Sequence, residues 1–456
     1  LRCGRLSSKS SAFRGGYPVL QRREEALRAG RHGWPVSVGG GLYSRSMSRF
    51  RMHPTPAQEV VLRGHCGHAR FVWNLAVEQH SWWTPRRGAA PGFVAQSNHL
   101  TEARAAFPWL AAGSQTVQQQ ALRDFAQAMK YYFAGTHRRP TWRKAGRNEG
   151  FQIVGRHAQK VQRLSKHVGQ VWIPKAGWVG FRWSRTVPDA KSYRVALDRA
   201  GRWHIAFAAI HEPKPTPGNG ILVGVDRGVA VSAALSTGEL LTVPGLAAKQ
   251  AERLVRLQHR LAKARPGSQR RSRLKAAIAK LKARETDRRK NWVEQTSTHL
   301  TRSFDLIAIE NLKIGNMTRS AKGTVEQPGR QVAAKAGLNR TVLASGWGLL
   351  AQRLEEKAPG RVIRVDPAYT SQMCHRCGKV DANSRKSQAE FACTSCGHRE
   401  HAGVNAARNI AARAHAVRDA TTHAVAVLAA GHAVTARGGN PVGKPANREP
   451  QHAFTS

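Results

Sequence analysis

The chain has 456 residues, enough for two or three domains with cores of their own. Its 74 Lys and Arg against 27 Asp and Glu give a formal charge of +47, spread along most of the length. Such a field repels itself in a compact state unless a polyanion neutralises it, so nucleic acid is the expected partner. A basic surface kept for solubility or a membrane-surface protein is the lesser reading, because no long apolar helix or strongly amphipathic anchor accompanies the charge.

Residues 1–46 begin at Leu1 and hold no apolar core of signal-peptide length. They read as a disordered leader or an upstream extension of the frame, with Met47 as the natural start. "RFRMHP" from Arg49 reads as a strand ended at Pro54. The next stretch has a cap-like Thr55, a proline in the first turn, and apolar residues at helical spacing: Val60, Val61, Leu62, Ala69, Val72 and Trp73. Helical patterning resumes over 99–133, and "RRPTWRKAGRNEG" at 138–150 breaks it with a basic loop.

Strand signals follow. Tyr193, Val195 and Leu197 alternate with polar residues, a glycine-containing turn intervenes, and Trp203, Ile205 and Phe207 alternate again. Together these predict a small β-barrel-like domain, built from residue 47 onward and from about 150 to 212, with helices inserted. "HEPKPTPGNG" at 211–220 reads as the main linker. Beyond it the text becomes α/β: a buried run "ILVGVD", two further strands with a turn at Thr237-Gly238, two charged helices broken at Pro266-Gly267, and a short buried strand "FDLIAIENL". After about 418 the composition turns to Ala, Gly, His and Pro, which reads as a disordered tail.

Six cysteines include Cys3 and Cys66, which stand alone, and two pairs: Cys374-x2-Cys377 and, fifteen residues on, Cys393-x2-Cys396. Two such turns close a tetrahedral site with no place for water, so a structural zinc is expected, in a reducing compartment. His375, His398 and His401 lie beside it and could substitute as ligands, but next to a complete four-cysteine set they read as surface residues or nucleic-acid contacts. A second constellation is acidic. Asp226 ends "ILVGVD" and Glu310 ends "LIAIE", and a carboxylate at the edge of a buried sheet calls for a cation or hydrogen-bond donors. If the two strands are parallel neighbours, the carboxylates emerge side by side, where Mg²⁺ or Mn²⁺ could serve phosphodiester hydrolysis. Such a site usually wants a third acid.

"GVDRGV", "IAIENLKIGNM", "VDPAYTSQMCHRCG", the second cysteine pair and "HAGVNAARNI" occur in the order and approximate spacing of the TnpB family, and "RFRMHPTPAQ" and "ARFVWNLAV" resemble that family's opening. These are transposon-associated OrfB proteins, compact relatives of type V CRISPR effectors. The resemblance runs from about Met47 to Ile410. It implies an α/β plus β fold: an RNase H-like RuvC domain with an inserted zinc ribbon, preceded by a wedge β-barrel carrying a helical recognition insert. On that pattern residues 47–58 give the first wedge strand, 59–137 the helical insert, 138–212 the rest of the wedge and 213–220 the linker. Residues 221–370 give the first part of the RuvC-like domain, 371–400 the zinc ribbon, 401–417 the final helix and 418–456 the tail.

The implied activity is RNA-guided cleavage of double-stranded DNA beside a short adjacent motif, by two-metal hydrolysis. Asp226 matches the first catalytic acid and Glu310 the second. The third position falls on Gly403. Either cleavage is impaired, or another group replaces the acid, with Glu400, Asn405 or Asp366 nearest in sequence and Glu400 the chosen substitute. The other reading is a nuclease-inactive, guide-dependent binder that acts by target occupancy or transcriptional repression. A conventional transposase ranks last, since no added catalytic His or Tyr motif is present.

Basic and aromatic runs fit the polyanion reading: "SWWTPRRG" at 81–88, the loop holding Arg138, Arg139, Trp142, Arg143 and Lys144, and the helical run with Arg270, Arg271, Arg273 and Lys275. The expected partners are a guide RNA and target DNA, with pairing of two copies left open. The expected location is a bacterial cytoplasm, at the nucleoid when in use.

Overall fold

The computed structural model describes residues 44–84, 86 and 90–435. Most of the expected leader, the solitary Cys3, part of the run at 81–88, and the end of the expected tail lie outside the described residues. Contacts divide the chain into two compact units. The first ends at Glu212 and takes in Leu246–Asp287; the second holds Pro213–Gly245 and the residues from Arg288 onward.

The first unit starts with β1 (Ser44–Arg51) and α1 (Pro56–Ser81). Thr55 caps α1 as its sequence suggests: its hydroxyl accepts from Gln58 N at 3.3 Å, while the Gln58 side chain accepts from Thr55 N at 3.0 Å. Leu62, Ala69, Val72 and Trp73 are buried, whereas Val60 is on the solvent side. Helices α2 (Phe93–Ala106) and α3 (Gln115–Phe133) follow, and the ring of Trp73 meets that of Phe125 edge-on at 5.4 Å.

Strands β2 (Gly150–Val154), β3 (Val161–Arg163), β4 (Val168–Ile173), β5 (Gly177–Arg182), β6 (Ser192–Leu197) and β7 (Trp203–His211) form two antiparallel sheets, β1-β7-β6-β2 and β3-β4-β5. A bridge between Met52 and Phe181 joins them, and both contribute to one core. The alternation read from the text sets the β6–β7 register: Tyr193 faces Phe207, Val195 faces Ile205 and Leu197 faces Trp203.

Helices α4 (Ala248–Ala262) and α5 (Gln269–Ser303) break where Pro266-Gly267 predicts. Leu254, Leu257, Leu274 and Leu281 bury against one another in a small core of their own. By contacts 246–287, expected within the α/β stretch 221–370, groups with the first unit.

The second unit is built on a five-stranded sheet in the order β10-β9-β8-β11-β12. Its strands are β8 (Leu222–Asp226), β9 (Ala233–Leu235), β10 (Leu240–Leu241), β11 (Leu306–Glu310) and β12 (Val362–Val365). β8, β11 and β12 are parallel, as the buried apolar runs separated by helices suggest, and β9 runs antiparallel to β8. Helix α6 (Val332–Ala344) precedes α7 (Trp347–Lys357). Leu350 and Leu354 of α7 and Trp292 and Val293 of α5 cover one sheet face, made by Val223, Val225, Ile307 and Ile309.

The other face is covered by α8 (Ala402–Thr435). Leu222, Ala308 and Val365 pack there against Ile410 and Ala414. The helix runs on well past 417, into the segment expected to be a disordered tail. Its alanine-rich sequence explains the extension, since alanine is the strongest helix former. Between β12 and α8 lie the two cysteine turns and a small hairpin of β13 (Glu390–Ala392) and β14 (Arg399–His401).

The contact between β8 and α8 is set by glycine. A Cβ at Gly224 would collide with the Ala407 carbonyl oxygen and stand 2.8 Å from Ala411 N. Gly224→Ala should therefore lower unfolding free energy by about 3 kcal/mol. Gly64, inside α1 with nothing within 4 Å of a built Cβ, should instead gain about 0.5–1 kcal/mol on substitution by Ala. Urea unfolding of both variants checks the pair.

Candidate functional site

Side chains alternate along a strand, so Leu222, Gly224 and Asp226 share the α8 face of β8. The same alternation puts Ala308 and Glu310 on that face of β11. Leu306 to Ile309 pair in parallel register with Leu222 to Val225, so Glu310 and Asp226 are the next residues in step. Both carboxylates thus emerge at the carboxyl ends of adjacent strands. Glu310 is 7 % exposed and Asp226 is partly buried.

Burial pushes the Asp226 carboxyl up to about 7, and the neighbouring Glu310 adds to the shift; Arg385 and Arg227 oppose it. Burial also raises Glu310, held back by a hydrogen bond from Thr370 and by Arg227 and Arg385. Thr370 Oγ1 donates to Glu310 Oε1 at 2.7 Å. Helix α8 holds this threonine: Asn409 Nδ2 donates to Thr370 O at 2.9 Å and to Met373 O at 2.7 Å. The buried Arg227 guanidinium donates to the Glu310 carbonyl and, at 3.4 Å, to that of Trp347. Two hard oxygen donors that destabilise each other in a water-poor corner suit Mg²⁺ or Mn²⁺.

The third position follows from the same crossing. Gly403 lies four residues before Ala407, the residue packed over Gly224, which carries it one step along β8 toward Asp226. Asp226 pairs with Ala234 of β9, and a Cβ on Gly403 would lie 2.9 Å from the Ala234 methyl and 3.3 Å from the His401 ring. Gly403 N donates to His401 Nδ1 at 3.1 Å, so an imidazole lies beside the position where the third acid was expected.

The three residues weighed as replacements have other partners. Glu400 Oε1 pairs with Arg408 at 2.8 Å, and its Oε2 is turned to His375 and His398. Asn405 Oδ1 accepts from His375 N at 3.0 Å, and its Nδ2 donates to Met373 O at 2.7 Å. Asp366 is exposed and closes its own turn through Ala368 N at 3.2 Å. Strand pairing puts Asp226 and Glu310 in step, and Glu400 is engaged by Arg408 and faces the two imidazoles.

Cys374, Cys377, Cys393 and Cys396 converge, with all four sulfurs within 4.8 Å of one another. The Cys374–Cys396 and Cys377–Cys393 Sγ pairs stand 3.7 Å apart. Bonds of ~2.3 Å at tetrahedral angles give an edge of about 3.8 Å, so the donor set and its spacing fit zinc. Both turns are built alike: Gly378 N donates to Cys374 O and Gly397 N to Cys393 O, with both glycines at left-handed φ of 72° and 70°.

Of the basic residues read from the sequence, Arg138, Lys144, Arg270, Arg273 and Lys275 are exposed, as is Trp142 at 53 %. Arg139 is also exposed, and its Nη2 donates to His80 O at 3.0 Å. Two others serve the fold. Arg143 lies 3.6 Å over the Trp73 ring, and Arg271 caps the end of α4 through Leu261 O and Ala264 O at 2.9 and 2.8 Å. Arg253, Lys280 and Arg284 join Arg273 around one pocket on α4 and α5; their helical spacing was the signal for them. Thr370, Asn409 and Arg385 were missed, and only Asn409 had a cue, four residues after Asn405 on one helix face.

The raised Asp226 carboxyl has a consequence for stability. A folded-state pKa above the unfolded one stabilises at low pH, and that stability is lost as pH rises through about 7. In magnesium-free buffer at pH 8, Asp226→Asn should therefore raise the thermal midpoint. The gain should shrink at pH 6, where the native carboxyl is protonated. Calorimetry at both values checks this.

Three family models match segments of the chain: a helix-turn-helix domain of the OrfB_IS605 group over 47–88, "Probable transposase" over 193–321, and a Cas12f1-like TNB domain over 347–410. The "Putative RNA-guided DNA endonuclease InsQ" of Escherichia coli (strain K12) is 33% identical over 380 residues, 81% of this chain and 92% of that protein. A "Putative RNA-guided DNA endonuclease" of Streptomyces pristinaespiralis is 29% identical over 376 residues, 80% of this chain and 88% of its own length. Cas12f1 of Sulfoacidibacillus thermotolerans matches at 52% over 56 residues, 12% of this chain and 13% of its own length. A solved Cas12f1–sgRNA–target DNA complex overlays 81% of this chain and 99% of that one at 11% identity and a TM-score of 0.49, too loose a likeness to carry an argument. On its motifs and on identity over most of its length, this chain belongs to the TnpB family of transposon-associated OrfB proteins.

Proposed function

We propose that this protein is an RNA-guided DNA-targeting nuclease of transposon origin. In this reading it binds a guide RNA and hydrolyses double-stranded DNA next to a short adjacent motif, with Asp226 and Glu310 as its catalytic carboxylates. The first unit then acts as wedge and recognition region, and its exposed cations, among them Arg138, Lys144, Arg270, Arg273 and Lys275, neutralise phosphates. The observation that carries the reading is the in-step emergence of Asp226 and Glu310 from adjacent parallel strands, in a corner where neither ionises freely.

Each group has a task that follows from its surroundings. Glu310 is the anchored member, fixed by Thr370 and through it by Asn409. Asp226 is the less comfortable member and gains most from an opposing cation. Magnesium or manganese held by the pair would supply Lewis-acid stabilisation of charge building on the phosphate and lower the pKa of the attacking water. Arg385 reaches both carboxylates electrostatically and is in place to meet a phosphate there. Gly403 leaves this pair without a third carboxylate, which should lower the rate by roughly a thousandfold, several kcal/mol of transition-state stabilisation at about 1.4 kcal/mol per tenfold.

One observation favours a second reading, a guide-dependent binder without cleavage. Any side chain at position 403 would crowd Ala234 and His401, and Glu400 is paired with Arg408. Incubating protein, guide and target DNA with Mg²⁺ or Mn²⁺ separates the two. Slow cleavage that Asp226→Ala abolishes, with target binding intact, is the expected result. Gly403→Asp should raise cleavage at least about tenfold while lowering the thermal midpoint, because the new Cβ crowds Ala234. Firm target binding with no cut in either protein would leave the binder reading standing. Target affinity should also fall steeply with salt, as counterion release requires.

A further inference from the structure

Three side chains beside the cysteine cluster form a separate group. His375 follows the first cysteine, His398 follows the second turn's glycine, and Glu400 lies on β14. Glu400 Oε2 is 3.4 Å from His375 Nδ1 and 3.7 Å from His398 Nε2, and the three ligand atoms all fall within 4.8 Å of one another. Bonds of ~2.0–2.1 Å at tetrahedral angles end about 3.3–3.4 Å apart, so these gaps have the length of a coordination edge. Neither is a hydrogen bond, since Glu400 Oε2 has none.

Two of the three atoms also lack a hydrogen-bond partner. His398 Nε2 and Glu400 Oε2 are buried without a hydrogen bond, and the three side chains are only 21%, 16% and 15% exposed. Buried polar atoms left unsatisfied are uncommon, and an ion is one of the few things that accounts for two of them facing each other. The rings of His375 and His398 meet edge-on at 4.6 Å, which spreads their nitrogens around a shared point.

We propose that His375 Nδ1, His398 Nε2 and Glu400 Oε2 bind a second transition-metal ion, zinc, distinct from the four-cysteine site and with a fourth position open to water. The donor set is two imidazoles and a carboxylate, a combination that holds exchangeable zinc, whereas the four thiolates fill their own tetrahedron. One rearrangement is required. Arg408 Nη1 lies 3.1 Å from His375 Nε2, and a guanidinium only donates, so without the ion the imidazole proton is on Nδ1, toward Asn405 Oδ1 at 3.2 Å. Binding moves that proton to Nε2, and Arg408 swings off it. The same Nη1 holds Glu400 Oε1 at 2.8 Å, so that ion pair is remade as the guanidinium turns, while Arg408 Nε keeps Ser236 O at 3.3 Å and Asn405 Oδ1 keeps His375 N at 3.0 Å. The ion would tie the two cysteine turns together on the side where Asn405 grips them, stiffening the joint between ribbon and α8.

The test is metal content of the full chain, loaded with zinc, desalted and counted against protein. Two zinc ions per chain are expected, with one released by a thiol-reactive mercurial and the other only by a chelator. His375→Ala, His398→Ala and Glu400→Gln should each bring the count to one while the mercurial-released ion stays, which also shows that the ribbon is folded. Cobalt provides a measurement on the unaltered protein: a second equivalent should add visible bands without further thiolate charge transfer. One zinc per chain and no second cobalt spectrum would overturn the proposal, as would two zinc ions indifferent to all three substitutions. Neither readout needs guide RNA or cleavage, so failure here is separate from failure of the nuclease reading.

Discussion

Two carboxylates confined to one water-poor corner are the constraint on which the second unit turns. A parallel pair of short buried strands, in step, gives Asp226 and Glu310 no freedom to separate. Ionising both there is opposed by desolvation and by their mutual repulsion, and the fold answers with Thr370, Arg227 and Arg385. The corner holds unfavourable free energy that a divalent cation would release, and this is the physical sense in which the site is prepared for one.

Helix α8 connects that corner to everything around it. Ala407 lies on Gly224, Gly403 lies beside Ala234, and Asn405 and Asn409 hold the segment from Thr370 to His375. The hydrogen bonds of two asparagines one helical turn apart therefore join the cysteine cluster to Glu310 through Thr370. Asparagine inside a helix is a weak helix former, so its place here is explained by what it holds. A ribbon that shifted relative to α8 would disturb Glu310 without touching it.

Much of this was legible in the text because it depends on local periodicity. Alternation fixed the facing of Tyr193, Val195, Trp203, Ile205 and Phe207, and the Thr55 cap and the Pro266-Gly267 break marked helix ends. Apolar runs ending in an acid marked β8 and β11, and paired cysteines marked the cluster. What was not legible depends on contacts distant in sequence. Nothing local tells that Leu254 and Leu281 make a core with each other, that Arg271 and Arg143 serve the fold, or that Glu400 turns to Arg408. The reach of α8 was underestimated because His and Gly in the tail masked a strong alanine background.

The central claim is that Asp226 and Glu310 share one divalent ion. Anomalous diffraction from crystals soaked in Mn²⁺ tests it most directly. The account requires a manganese peak within bonding distance of both carboxylates, absent from Asp226→Asn crystals. Density confined to the cysteine region, or a peak on either carboxylate alone that survives the substitution, would contradict it.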